Sequence, residues 1–221
     1  MNIGLIVFAG KGTRMNSPIP KQFIEVNGKE LVVYTIEVFQ HSSLIDEIIL
    51  VTHKDYLNHV KELKEKYNLT KVKYIIPGGE TRQESVKLGL LNSSYCDNDI
   101  VLIHDGDRPL VSEEIISRNI KAISNCDGVC TMIKHSESLD NVSNLGRCKV
   151  VNGIDIDVQT PQTFRYGLIK TAHVKRENES FSDDIGLIED EYKVSYVEGD
   201  KRNFKVTTDI DLIAFKSMIL E

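Results

Sequence analysis

Short apolar segments alternate along this chain with longer amphipathic stretches, and this alternation limits the folds that the chain can adopt. Each apolar segment is short and ends at turn-forming residues, as buried strands do. These segments cover residues 3–8, 46–52, 72–76, 100–103 and 129–133. Helical spacing of apolar residues is found between them, at 31–39, 54–67, 80–91 and 112–124. Strands that alternate with helices form right-handed βαβ units, so the sequence predicts an α/β fold, Rossmann-like, with a mostly parallel sheet and helices on both faces.

The alternation stops after the fifth predicted strand. Residues 135–157 are polar, with two short apolar pieces around 149–153, and they predict a β-arm that leaves the sheet. A long irregular stretch in a compact domain is usually functional or an interface. We therefore expect one domain over 1–221 that carries an arm at 135–158.

The remaining elements follow the arm. They are extended residues 159–164, a helix over 166–176, a strand at 193–197, an extended piece at 203–207 and a last helix. Thr208 or Asp209 is the predicted cap of that last helix. Among the apolar helical positions, Leu91 and Ile213 are expected to face the core together with their apolar neighbours.

Composition excludes several classes of protein. The net charge of −6 argues against a general binder of nucleic acid or of anionic membranes, which needs a basic surface. No apolar run approaches the ~20 residues that span a bilayer. The N-terminal apolar run has neither the basic flank nor the cleavage site of a signal peptide. The four cysteines form no CxxC pair, which argues against zinc and predicts reduced, mostly buried thiols and a cytoplasmic protein.

A glycine turn follows the first predicted strand. Gly10 and Gly12 allow the backbone to lie close to a ligand, and Arg14 and Lys21 bring two positive charges to the same turn. Fixed cations beside such a turn suit a polyphosphate. An ordinary strand-to-loop turn with solvated cations fits the same spacing, so this stretch alone leaves both interpretations open.

Two later stretches strengthen the phosphate interpretation. In a parallel sheet the carboxyl ends of the strands share one edge, so the opening loop is expected to meet residues 78–85 and 104–109 in one crevice. The opening loop does not match the dinucleotide fingerprint, because Met15 stands where a glycine or alanine is required. The order Gly10-Lys11-Gly12 also breaks the P-loop pattern. A nucleotide site of another type is therefore expected.

Six motifs in one order carry a family resemblance. They are Ala9-Gly10-x-Gly12-x-Arg14-Met15, Pro20-Lys21-Gln22, Gly78-Gly79-x-x-Arg82-x-x-Ser85-Val86, His104-Asp105-x-x-Arg108-Pro109, Thr160-Pro161-Gln162 and Lys205-Val206-Thr207. With them the chain resembles the family of 2-C-methyl-D-erythritol 4-phosphate cytidylyltransferases and the closely similar ribitol 5-phosphate cytidylyltransferases. The resemblance covers nearly the whole chain. It implies a nucleotidyltransferase fold, CTP as donor, a polyol phosphate as acceptor, Mg2+ as cofactor and a homodimer that contacts through the arm.

The resemblance also implies roles for individual residues. Arg14 and Lys21 would hold the β- and γ-phosphates, and Lys205 would contact the α-phosphate. The implied CTP-binding residues are Ala9, Gly10, Gly12, Gly79, Glu80, Ser85, Asp105 and Gly106. Asp105 is also the implied metal ligand. For Arg82 and Arg108 a structural role, pinning loops to carboxylates, is at least as well supported, and His104 is expected to be a packed turn residue.

The acceptor side departs from the family pattern. The implied acceptor-binding residues are Ser138, Asn152, Thr160 and Asp183. Asn152 stands where the family carries an arginine, and an amide cannot supply the charged bidentate grip of a guanidinium on phosphate. Asp107 stands where the family has a small or apolar residue, and its carboxylate is interpreted as a further metal ligand or a loop cap. These departures favour ribitol 5-phosphate or a related alditol phosphate over methylerythritol phosphate. A non-catalytic nucleotide-binding protein is the alternative from another class.

Overall fold

The computed structural model describes residues 1–10, 19–134, 148–151 and 154–220. The strands in these ranges are β1 (Asn2–Phe8), β2 (Glu25–Val26), β3 (Lys29–Glu30), β4 (Glu47–Thr52), β5 (Val72–Pro77), β6 (Ile100–Asp105), β7 (Gly128–Lys134), β8 (Cys148–Val151), β9 (Ile154–Arg165) and β10 (Val194–Glu198). The α-helices are α1 (Leu31–His41), α2 (Leu57–Lys66), α3 (Arg82–Leu91), α4 (Glu113–Ala122), α5 (Tyr166–Lys175) and α6 (Asp209–Met218).

The main sheet has the strand order β10-β7-β9-β6-β1-β4-β5. The pairs β1 with β4, β1 with β6, β4 with β5 and β7 with β10 are parallel. Strand β9 is antiparallel to both of its neighbours, β6 and β7, and β8 pairs with β9 at the side. The predicted α/β fold with a mostly parallel sheet is confirmed.

The central strands β1, β4 and β6 are buried on both faces, as strands of parallel sheets are. Alternate residues of β1 enter opposite cores: Leu5 packs with Val86 of α3 and Ile169 of α5, whereas Ile6 packs with Phe39 of α1 on the other face. Helices α2 and α4 complete that second core. This arrangement accounts for the continuous apolar runs in the sequence, because a strand covered on both faces has no solvent side.

Two expected core positions are on the surface instead. Leu91 is 42% exposed and Ile213 is 66% exposed. Each follows a buried neighbour, Leu90 or Leu212, and one residue along a helix turns the side chain by about 100° away from the core. The expectation that these two residues face inward is wrong.

The last described residues of the stretch expected to form an arm belong to the main sheet. Strand β9 begins at Ile154, and residues 156–158 already pair with β7 in the main sheet. β8 pairs with the first part of β9. Residues 135–147 lie outside the described ranges, so the arm itself stays a prediction. The extended piece expected at 203–207 contains no strand.

Other predictions concern thiols and membranes. Cys126 and Cys130 are free and buried, whereas Cys96 is free and exposed. Within the described ranges, none of the helices is both long enough and apolar enough to cross a membrane.

Helix α6 begins with a capping box. The Thr208 hydroxyl accepts from the Asp211 amide at 3.3 Å, and the Asp211 carboxylate accepts from the Thr208 amide at 2.7 Å. The helix buries Leu212 and Phe215 against Val206, the neighbour of Lys205. The cap therefore stabilises the helix against which the segment carrying Lys205 packs.

We expect Thr208→Ala to lower the free energy of unfolding by about 1 kcal/mol, because it leaves helix N–H groups without their acceptor. Urea unfolding monitored by circular dichroism measures the change. Ser217→Ala in the same helix is the control, since Ser217 is exposed and its hydroxyl donates to the Ala214 carbonyl at 2.8 Å. Equal losses in the two variants would contradict a role for the cap.

Candidate active site

A cavity of about 470 Å³ lies at the carboxyl ends of the central strands. It is lined by residues that follow β1, β4, β5 and β6, and by residues on two further segments. These residues include Ala9, Gly10, Lys21, Gln22, His53, Lys54, Gly79, Glu80, Arg82, Ser85, Asp105, Asp107 and Lys205. The described parts of the three loops that were expected to converge meet here. Sequence reasoning missed His53 and Lys54, because a single polar pair after a strand carries no recognisable motif.

Lys21 is brought into the cavity by a short 3-10 helix, Lys21–Phe23. Its neighbour Gln22 is buried, and its side-chain amide donates to the Phe8 carbonyl at 2.9 Å and to the Gly10 carbonyl at 2.8 Å. Phe23 stacks on Tyr56 with ring centroids 4.7 Å apart. Gln22 thus ties this helix to the end of β1, a role that the sequence did not reveal.

Two lysines meet an acidic residue in the cavity. Lys21 Nζ lies 2.5 Å from Asp107 Oδ2 and donates to the Val206 carbonyl at 2.7 Å. Lys205 Nζ lies 3.0 Å from Asp105 Oδ2 and 3.5 Å from Asp107 Oδ1. Residues far apart in the sequence therefore place two ammonium groups at one site.

Asp105 is the acidic centre of this site and is almost fully buried. Arg82 Nε donates to its Oδ1 at 2.7 Å, and Lys205 contacts its Oδ2. Arg108 Nε lies 3.7 Å from Oδ2, and Arg108 Nη1 donates to the Asn203 carbonyl at 2.8 Å. Both arginines hold loops against carboxylates, in line with the structural interpretation of Arg82 and Arg108.

Arg82 joins Asp105 to a second buried carboxylate. Its Nη1 donates to Asp184 Oδ2 at 2.8 Å, and His173 Nε2 lies 3.2 Å from Asp184 Oδ1. Burial alone would raise the pKa of Asp184, but Arg82 and His173 outweigh it and hold this pKa at about 2. Burial would lower the pKa of Arg82, and the two carboxylates raise it instead. Arg82 and Asp184 are therefore both ionised at neutral pH.

The loop after β5 is closely packed. A Cβ on Gly78 would lie 2.4 Å from Ala9 Cβ. Only glycine therefore fits where the loop after β5 passes the end of β1. Ser85 Oγ accepts from the Gly79 amide at 3.1 Å and donates to the Thr81 carbonyl at 2.8 Å. The Glu80 amide donates to Glu84 Oε2 at 2.8 Å. The Ser85 hydroxyl thus bridges the Gly79 amide and the Thr81 carbonyl and orders this loop.

His104 lies behind Asp105. Burial lowers the pKa of His104 to about 4. Its Nδ1 lies 2.9 Å from Thr160 Oγ1 and its Nε2 lies 3.2 Å from the Arg108 carbonyl. Thr160 Oγ1 accepts from the Asp105 amide at 3.1 Å. A neutral imidazole with its proton on Nε2 satisfies all three contacts: it donates to Arg108 and accepts from Thr160.

The described residues of the expected acceptor side bond within the protein. The Thr160 hydroxyl bonds to His104 and Asp105, as above. Asp183 is buried, and its Oδ1 accepts from the Gly186 amide at 3.0 Å while its Oδ2 accepts from Ser182 at 3.1 Å. Their roles in acceptor binding stay predictions.

Several other expected site residues need separate mention. Gly106 packs beneath the cavity, where a Cβ would lie 2.9 Å from Phe8 Cβ. Gly12, Arg14, Ser138 and Asn152 lie outside the described residues. Their roles remain predictions from the family resemblance.

The structure also bears on metal binding. Within the described ranges, no group of three or more His, Cys, Asp or Glu side chains is arranged to hold a metal ion. Mg2+ bound with nucleotides takes only one or two carboxylates and completes its coordination with phosphates and water. Asp105 in the cavity lining fits that limited requirement.

The buried histidine gives a pH prediction. The unfolded chain protonates His104 near pH 6.5 and the folded protein only near pH 4. The unfolded state therefore binds more protons between these values, and stability falls as pH drops from about 6.5 to 4, by at most about 3 kcal/mol for this group. Imidazole 15N NMR should show His104 neutral at pH 5.5. Titration of His104 near pH 6.5 would contradict the assignment.

Comparison with known proteins shows the family to which this chain is similar. The model of the family described as IspD, 2-C-methyl-D-erythritol 4-phosphate cytidylyltransferase, matches residues 3–221. The chain is 38% identical to the 2-C-methyl-D-erythritol 4-phosphate cytidylyltransferase of Clostridium novyi, over 99% of this chain and 96% of the relative. It is 36% identical to the ribitol-5-phosphate cytidylyltransferase of Vibrio parahaemolyticus, over 99% of this chain and 96% of the relative.

A solved structure shows the same fold. The crystal structure of 4-diphosphocytidyl-2C-methyl-D-erythritol synthase from Anaerococcus prevotii is similar with a TM-score of 0.80 and 30% identity. The match covers 100% of this chain and 96% of that one. Sequence, fold and family model therefore agree, and the chain belongs to the 2-C-methyl-D-erythritol 4-phosphate cytidylyltransferase family.

Proposed function

We propose that this protein transfers CMP from CTP to the phosphate of a small alditol phosphate and releases pyrophosphate. The observation that carries the proposal is the meeting of the Lys21 and Lys205 ammonium groups in a cavity at the carboxyl ends of the central strands. A site with two cations and several closely packed backbone segments suits a nucleoside triphosphate.

The reaction requires little from the protein beyond orientation and charge. An oxygen of the acceptor phosphate attacks the α-phosphorus of CTP, the bond from that phosphorus to the bridging oxygen of the β-phosphate breaks, and pyrophosphate leaves with the electron pair. A phosphate dianion is already a nucleophile, so no protein nucleophile or base takes part. Catalysis then depends on positioning and on neutralising charge.

The two lysines have separate roles in the proposal. Lys205 stabilises the charge that develops at the α-phosphate, and Lys21, together with Arg14, holds the β- and γ-phosphates that leave. The backbone of Ala9, Gly10 and Gly12 lies against the phosphates. Arg82 and Arg108 keep Asp105 in place.

Base and metal recognition complete the donor site. Gly79 and Glu80 present the loop that reads cytosine, ordered by Ser85. Asp105 and Gly106 are the proposed ribose-side residues. Asp105 would also hold Mg2+, which when bound neutralises phosphate charge.

The acceptor is proposed to be ribitol 5-phosphate or a related alditol phosphate. Asn152, in place of the arginine expected in methylerythritol-phosphate enzymes, supports this choice. Ser138, Thr160 and Asp183 are proposed on the acceptor side. Relatives of similar identity carry both names, so methylerythritol phosphate stays the alternative.

The assembly and location are further proposals. On the family resemblance we propose a homodimer formed through the arm at 135–158. On the reduced cysteines we propose a cytoplasmic location.

An acceptor panel tests the substrate. CTP and Mg2+ are incubated with equal concentrations of ribitol 5-phosphate, erythritol 4-phosphate, methylerythritol 4-phosphate and glycerol 3-phosphate, and pyrophosphate release and product mass are measured. We expect the highest kcat/KM with ribitol 5-phosphate or another unbranched alditol phosphate. A kcat/KM for methylerythritol phosphate far above all others would refute this choice, and no turnover with any acceptor would favour a non-catalytic nucleotide-binding protein.

The lysine roles are tested by substitution. We expect Lys205→Ala to lower kcat by about 10²-fold or more, because one donor to the developing charge is lost, with a smaller change in CTP affinity. Lys201→Ala is the matched control, since Lys201 is exposed a few residues away and does not line the cavity. A kcat close to that of the unsubstituted protein would show that Lys205 does not act in the chemical step.

A further inference from the structure

Asp107 is an acidic residue of the cavity to which the proposed reaction gives no role. Its carboxylate contacts both proposed phosphate-binding lysines, with Oδ2 at 2.5 Å from Lys21 Nζ and Oδ1 at 3.5 Å from Lys205 Nζ. The side chain lines the cavity and is 13% exposed. In the free site this carboxylate therefore meets the two ammonium groups that a triphosphate would contact.

Hydrogen bonds to main-chain carbonyls keep Asp107, Lys21 and Lys205 close together. The Val206 amide donates to the Asp107 carbonyl at 2.8 Å, and Lys21 Nζ donates to the Val206 carbonyl at 2.7 Å. The segment after β6, the 3-10 helix of Lys21 and the segment before α6 are thereby tied at one point. The contact of Asp107 with the lysines follows from this arrangement of the main chain.

The contact between Asp107 and Lys21 is explained by the charge of the partly buried lysine. The Lys21 side chain is only 10% exposed, and an ammonium in such a place requires a nearby anion. Asp105 shares its charge with Arg82, Arg108 and Lys205, whereas Asp107 is the anion nearest to Lys21 within the described residues.

A triphosphate carries more negative charge than Asp107 and replaces it as counter-ion. The ammonium of a lysine is a point charge on a flexible stem, so it can turn from one anion to another. The carboxylate and the phosphates cannot both stay close to the same lysines without repulsion. Repulsion between the carboxylate and a bound polyphosphate therefore favours loss of the Asp107 contacts.

We propose that Asp107 is a displaceable counter-ion, a positioning residue that holds Lys21 and Lys205 ready in the free site and gives them up to the incoming polyphosphate. The inference rests on the proposed function in taking CTP as that polyphosphate. Asp107 re-forms its contacts as pyrophosphate leaves, which weakens the hold of the site on this product. The site thus binds pyrophosphate less tightly and releases it more readily.

Asp107→Asn tests the proposal, because it keeps the size of the side chain and removes its charge. Inorganic tripolyphosphate and pyrophosphate are titrated by calorimetry in metal-free buffer. We expect both to bind about tenfold more tightly than to the unsubstituted protein, a gain of about 1.4 kcal/mol. In turnover we expect a lower KM for CTP and stronger product inhibition by pyrophosphate, without a rise in kcat.

Glu198→Gln is the matched control. Glu198 is exposed at the end of β10, and its substitution changes the net charge by the same amount. We expect unchanged polyphosphate affinity in this variant. A tenfold gain there as well would mean that total charge explains the effect, and it would overturn the proposal.

Unchanged or weaker polyphosphate binding by folded Asp107→Asn would also overturn it. If that variant does not fold, the unsubstituted protein decides the matter by NMR. Tripolyphosphate should then shift the carboxyl 13C signal of Asp107 together with the Nζ signals of Lys21 and Lys205, and an Asp107 signal that stays in place contradicts displacement. These measurements need no acceptor, so a failure of the proposed transfer reaction is seen separately, as the absence of CTP turnover.

Discussion

Burial of the Asp105 carboxylate is the constraint on which the site depends. A buried carboxylate is costly unless cations and hydrogen bonds surround it. Arg82 from α3, Arg108 from the turn after β6 and Lys205 from the segment before α6 supply the cations. Three parts of the chain are therefore drawn to the end of one central strand, and the cavity forms where they meet.

The same charges extend away from the cavity. Arg82 bridges Asp105 to Asp184, and Asp184 contacts His173 of α5. Because arginine presents a fixed, planar set of donors, it holds two carboxylates in a defined geometry. The arginines thus serve as structural ties, and the lysines that border the cavity carry the more adaptable charges.

Much of the architecture is predictable from local patterns. The short apolar runs identified β1, β4, β6 and β7 because a strand buried on both faces leaves a continuous apolar signature. The edge strand β5 was identified as well, although its Lys73 is exposed. Helix α6 was expected from a cap at Thr208 or Asp209, and the structure shows the cap at Thr208. Leu91 and Ile213 were misplaced because apolar character alone does not give the angle of a residue around its helix.

The sequence by itself determined the order of strands and helices, the family and the presence of several cationic residues near glycine turns. Those features depend on neighbouring residues or on motifs that can be read in order. Only the tertiary structure decided that β9 runs antiparallel within the sheet, that the Thr160 hydroxyl faces His104, and that Asp107 meets Lys21. The reason is physical: an ion pair depends on distance in space, and its partners here are far apart in the chain.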